Sequence, residues 1–83
     1  MDKNEILNSD LEVRCFVAGN PNTPAGVLTE LAKDRECDVR CFVAGNPSTP
    51  AGVLTELAKD SDYIVRRNAA RNPKLKEVLT DKK

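Results

Sequence analysis

Residues 12–34 read EVRCFVAGNPNTPAGVLTELAKD, and residues 38–60 read DVRCFVAGNPSTPAGVLTELAKD. The two copies lie 26 residues apart and differ only at Glu12/Asp38 and Asn22/Ser48. A third, divergent copy, YIVRRNAARNPKLKEVLTDKK, begins at Tyr63. It keeps Val65, Arg66, Ala70, Asn72 and Pro73 in register with Val39, Arg40, Ala44, Asn46 and Pro47. A fixed period of this length marks a repeat architecture, in which each unit buries its apolar face on its neighbours. The opening NEILNSD reads as the tail of a partial preceding unit. The 83 residues thus divide into a partial unit at 1–9, repeats at 10–35 and 36–61, and a divergent C-terminal capping repeat at 62–83, all in one helical-repeat domain.

Each unit reads as two short helices. At 100° per residue, Phe42, Val43 and Asn46 fall within about 60° of Val39, while Cys41 and Gly45 lie opposite. The first helix therefore carries one apolar stripe and is expected to end at Gly45, in the left-handed conformation that glycine favours. Pro47 pushes Asn46 out of helical geometry, so the chain turns there. Thr49 is expected to cap the second helix, with Pro50 in its first turn, where a missing amide hydrogen costs nothing. Pro50, Val53, Leu54, Leu57 and Ala58 share one face of that helix, and Glu56 and Lys59 point away from it. Either helix is short enough for 3₁₀ geometry, and the sequence leaves open which. The expected core is Val13, Phe16, Val17, Val27, Leu28, Leu31, Val39, Phe42, Val43, Val53, Leu54, Leu57, Val65 and Leu79.

The phrase VRCFVAGNPSTPAGVLTELAKD, with its Val-Arg, Val-Ala, Asn-Pro, Thr-Pro and spaced leucines, resembles the leucine-rich repeat variant family. It is more distantly similar to HEAT-like repeats, which share the Asp38-Val39-Arg40 opening. The match covers residues 10 to 73 well and the last ten weakly. The resemblance implies an all-α fold, a right-handed α-solenoid of three two-helix repeats built from alternating α- and 3₁₀-helices without β-sheet. One kind of protein in this family also carries an iron–sulfur cluster in a separate cysteine-rich segment, which these 83 residues do not contain.

Composition narrows the function classes. No stretch approaches the roughly 20 apolar residues of a membrane span, and no apolar signal-peptide core follows Met1. Three cysteines are an odd count and argue against a closed disulfide framework. A reduced, cytoplasmic protein is expected. Cys37 and Cys41 stand four apart, but two thiolates are half a metal site and the chain has no histidine to complete one. Cys15 occupies the place of Cys41 one repeat earlier, which suits small side chains packed between units. Neither a histidine base for a thiol or hydroxyl nucleophile nor a phosphate-cradling glycine loop is present. No enzyme activity, metal or cofactor is expected.

Polar residues phased with the repeat are the structural candidates. Arg14, Arg40 and Arg66 recur once per unit, and Asp34 and Asp60 recur just before the next unit begins. They suggest a ladder in which each guanidinium forks onto a carboxylate and ties adjacent repeats. Asn20, Asn46 and Asn72 recur before proline, where asparagine staples a turn by bonding nearby backbone.

The third copy departs from the other two at Arg67, Asn68 and Arg71, which replace Cys, Phe and Gly. Residues 61–83 carry seven basic and three acidic side chains, a net of +4, against six basic and ten acidic, a net of −4, in residues 1–60. A neutral total thus conceals a polarised rod. A capping role accounts for the polar substitutions, and Arg67, Arg71, Lys74 and Lys76 are also candidates for docking an acidic partner or an anion. The leading reading is a scaffold that binds another protein or itself, with head-to-tail contact of acidic and basic ends as one route. Weak nucleic-acid or phosphate binding through the basic repeat is the alternative, although no aromatic platform for bases accompanies it.

Overall fold

The computed structural model describes residues 2–75, whose regular elements are all helices, with no strand among the described residues. Lys76 and Leu79, a candidate docking residue and an expected core residue, lie outside the described residues. The helices are α1 (Lys3–Leu7), α2 (Leu11–Gly19), α3 (Ala25–Leu31), α4 (Cys37–Gly45), α5 (Ala51–Leu57) and α6 (Tyr63–Arg71), and residues 73–75 are again helical. Both helices of each described pair are α-helices, so the expected alternation with 3₁₀ geometry is not found among these elements. Even the seven-residue α3 and α5 keep their i to i−4 bonding, because each lies with two buried leucines against the first-helix layer.

The helix starts follow local chemistry. Asp2 and Glu5 form a reciprocal capping box on α1, at 2.9 Å in each direction. Asp10 accepts from the Val13 amide to start α2, and Asp62 accepts from Ile64 and Val65 to start α6. At α3 and α5 the N-cap is Pro24 or Pro50, with no side-chain bond. The Thr49 cap is therefore a correction. Its hydroxyl turns back and donates to the Val43 carbonyl at 2.7 Å, and Thr23 does the same to Val17 at 2.6 Å. The Val43 carbonyl at the end of α4 already accepts from the Asn46 amide, and the buried hydroxyl supplies it with a second donor. The glycine terminator is corrected as well, since no glycine has positive φ. The helices stop because Asn20 and Asn46 take extended backbone before proline, with ψ of 120° and 125°.

Two layers result. α4 packs most extensively on α2 and on α6, forming a continuous layer of first helices, while α3 and α5 lie beneath α4 and α6. α1 packs on α2 and α3. The core runs between the layers through Ile6, Ala18, Leu28, Leu31, Val39, Val43, Ala44, Leu54, Leu57, Val65, Ala69 and Leu75. Val17, Val27 and Val53 pack partly buried against it, and Val13 is half-buried.

Phe16 and Phe42 do not belong to that core. Phe16 is 74% exposed and Phe42 49% exposed. The buried arc of α4 runs instead from Val39 through Val43 to Ala44, which is fully buried, so the true centre of the stripe lies on the alanine side. Alanine permits the close approach of neighbouring first helices, and the phenylalanine is rotated out over the seam between them.

Candidate functional site

Three sets of repeat-phased side chains cross this scaffold, and two of them are largely consumed by it. In the first, Arg40 Nε and Nη2 fork onto Asp60 at 2.8 and 3.1 Å, while its Nη1 donates to the Asp34 carbonyl at 2.7 Å. Arg14 repeats the pattern with Asp34 at 2.8 Å and the Ser9 carbonyl at 2.6 Å. Arg66 reaches the Asp60 carbonyl at 2.8 Å. The carboxylate fork therefore closes within a unit, and the contact to the preceding unit goes to a backbone carbonyl. This differs from the expected side-chain tie between repeats. The aspartates also hold the loop, because Asp34 accepts from the Glu36 amide and Asp60 from the Asp62 amide. Pairing with the Asp60 carboxylate raises the Arg40 pKa, outweighing the opposing effect of burial.

In the second set, Asn46 donates both amide hydrogens to the preceding unit, to Ala18 O at 2.8 Å and Asn20 O at 2.9 Å. Asn72 does the same one unit later, to Ala44 O and Asn46 O at the same two distances. Each is 2% exposed, and each side-chain oxygen accepts from the amide two residues on, Ser48 or Lys74. Asn20 keeps only that local turn, through Asn22 at 2.9 Å, since no described residue stands in the position of a preceding unit's carbonyls. The sequence shows the turn-stapling half of this residue's work. The reach across units is a tertiary contact that only the stacked fold reveals.

The third set is the exposed ridge of α2, α4 and α6. By repeat position it carries Glu12, Cys15, Phe16 and Gly19, then Asp38, Cys41, Phe42 and Gly45, then Ile64, Arg67, Asn68 and Arg71. Phe16 and Phe42 wall a groove of about 540 Å³ with Glu12, Cys15, Gly19, Asn20 and Pro21. Phe42 leans so closely over Gly19 that a methyl group there would meet its ring at 3.2 Å. Arg67 lies 5.8 Å from the centre of the Tyr63 ring, and Arg66 approaches the same ring at 5.9 Å. Arg67 and Arg71 are exposed, and among the described residues neither has a carboxylate within ion-pair distance. Lys74 is half-buried, one turn beyond α6. Asn68, in the place of the phenylalanines, donates to Cys41 O at 3.3 Å. That polar substitution at a phenylalanine position was the available sign that the position faces outward. On the opposite layer, α3 and α5 leave a second cleft of about 340 Å³ lined by Thr29, Lys33, Gly52, Val53 and Glu56 among others.

The cysteines are held away from thiolate chemistry. Burial is the first cause that raises each thiol, and nearby carboxylates add to it: Asp38 at Cys15, and Asp62 at Cys37 and Cys41. All three are free. No group of three or more Cys, His, Asp or Glu side chains among the described residues converges to hold a metal ion. No described helix is long and apolar enough to cross a membrane.

Repeat-phased helices, tied by side chains that recur at the same offset, define a helical repeat protein. The chain belongs to the family of the Leucine Rich Repeat Variant domain, whose model matches residues 16–73. Comparison with curated proteins and with solved structures gave no match.

Proposed function

We propose that the chain is a short right-handed solenoid of three units that acts as a non-catalytic protein-binding scaffold, and that it binds through the ridge of α2, α4 and α6. The observation that carries this reading is the exposure of Phe16 and Phe42 at one repeat position, where hydrophobic patterning alone places core. Leu11 and Ile64 add exposed apolar surface at 38% and 41%. Aromatic rings held in water on one face are the groups that supply binding energy when a partner covers them. Arg14, Arg40, Asn46 and Asn72 are spent on the scaffold, because their side-chain donors are bound to it.

The test is a photo-crosslinking amino acid placed at position 16 or 42 in living cells, with position 59 on the other layer as control. Discrete protein adducts from 16 and 42 but not from 59 are expected. No adduct, or equal adducts from all three positions, overturns the reading.

The basic third unit supports a second reading, phosphate or nucleic-acid binding by Arg67, Arg71 and Lys74, because the two arginines are exposed on one helix and have no carboxylate partner among the described residues. Such binding falls steeply with salt, since it releases condensed counterions. Retention of nucleic acid unaltered by Arg67→Glu with Arg71→Glu ends that reading.

A further inference from the structure

The ridge is complementary to itself. At its α2 end two phenylalanine faces and the Glu12 carboxylate border a groove floored by Gly19. At its α6 end, two units on, the same repeat positions carry Arg67 and Arg71, which have no carboxylate within ion-pair distance among the described residues. We propose that the groove between Phe16 and Phe42 is occupied by the Arg71 side chain of a second copy of this chain, in a two-fold dimer whose copies cover each other's ridges in opposite order. The proposal rests on the reading of the ridge as the partner-binding surface and names the partner.

The repeat offset fixes the register. A two-fold axis parallel to the helices and passing by α4 lays α6 of one copy on α2 of the other with the helices running the same way. Arg71 then comes to the level of Gly19, and Arg67 to the level of Cys15, one turn from Glu12. Phe42 of each copy meets its counterpart near the axis. A guanidinium is planar and weakly hydrated, stacks on aromatic faces and pairs with carboxylates, so it matches the groove's two kinds of wall. The Arg67 guanidinium over Tyr63 shows the same preference within one chain. Each contact of Arg71 with the groove occurs twice, as off-axis contacts do in any isologous interface. Net charge agrees, since residues 1–60 carry −4 and residues 61–83 carry +4. Head-to-tail stacking of whole rods would satisfy the charges as well, but its contacts are heterologous, so it calls for growth beyond two copies where a two-fold dimer stops.

The experiment is sedimentation equilibrium from micromolar to millimolar concentration, at low and high salt. The parent chain is expected to pass from one copy to two and no further, with association weakened about tenfold by salt, as for contacts steered by charge. Arg67→Glu with Arg71→Glu should be monomeric, and so should Glu12→Arg with Asp38→Arg. An equimolar mixture of these two variants should dimerise, because each reversed end then faces its complement. Unchanged circular dichroism keeps loss of fold apart from loss of contact. A strict monomer, growth beyond two copies, or failure of the mixture to associate overturns the proposal. A monomer that still gives foreign adducts from positions 16 and 42 leaves the scaffold reading standing, whereas a monomer without adducts removes both.

Discussion

Asn20, Asn46 and Asn72 occupy the same place in the sequence motif, yet truncating them should have unequal cost. Asn46→Ala removes three hydrogen bonds, to Ala18 O, to Asn20 O and from the Ser48 amide. Each contributes about 0.5–1.5 kcal/mol net. The Asn20 carbonyl keeps its bond from the Thr23 amide at 3.0 Å. The Ala18 carbonyl, on a fully buried residue at a helix end, loses its side-chain partner. Leaving such a group unmet costs about 1–3 kcal/mol. The expected loss is about 2–5 kcal/mol, a large part of the roughly 4–12 kcal/mol that holds a chain of this size folded. Asn20→Ala removes one local bond, from the Asn22 amide, and should cost about 0.5–1 kcal/mol. Thermal melts followed by circular dichroism resolve the two, because each kcal/mol moves the midpoint by about 4–8 °C in a domain this small. Asn72→Ala should behave like Asn46→Ala. Equal losses at 20 and 46 would refute the reasoning, since local turn-stapling would then account for both.

Arg40 and Asp60 should couple by about 1–3 kcal/mol in a double-mutant cycle of Arg40→Met and Asp60→Asn, because the fork is bidentate and half-buried. A coupling below about 0.5 kcal/mol in urea unfolding would place the pair with ordinary surface ion pairs. Leu54→Ala should cost about 2–5 kcal/mol, whereas Phe16→Ala should lie within about 0.5 kcal/mol of the parent. Comparable losses in the two variants would return Phe16 to the core. Amide bonds from Val65 and Ile64 hold the Asp62 carboxyl below its ordinary range against a smaller opposing effect of burial. Its stabilisation is therefore complete above the pKa of the unfolded residue and lost as pH falls through the lower folded value. Asp62→Asn should flatten the acid limb of a melting-temperature profile, and superimposable profiles would refute that assignment.

The period, the two helices per unit and the turn between them were legible in the sequence, because near-identical copies and the Asn-Pro-x-Thr-Pro phrase repeat the same local chemistry. The burial side of the first helix was legible only in part. Helical angles group Phe42 with Val39 and Val43, but they cannot show that Ala44 lies at the seam with a neighbour and that the larger ring must swing outward. Thr49 failed as a cap for a similar reason, since the competing Val43 carbonyl is brought within reach only by the turn. Arg67 and Arg71 were legible as departures from the repeat. The groove walled by Phe16 and Phe42 was not, because it forms between two units and helical angles place each phenylalanine inward.

The asparagine contacts have a genetic consequence. Each unit supplies the donor that its predecessor needs and the carbonyls that its successor needs, at an offset fixed by 26 residues. A recombination event that inserts or deletes one whole unit restores every such match without any new interface having to evolve. An insertion longer or shorter by one residue breaks the match at the seam it enters, while units beyond it keep their own offset. Array length is thus free to drift in whole steps, while the period itself is held fixed by buried amides.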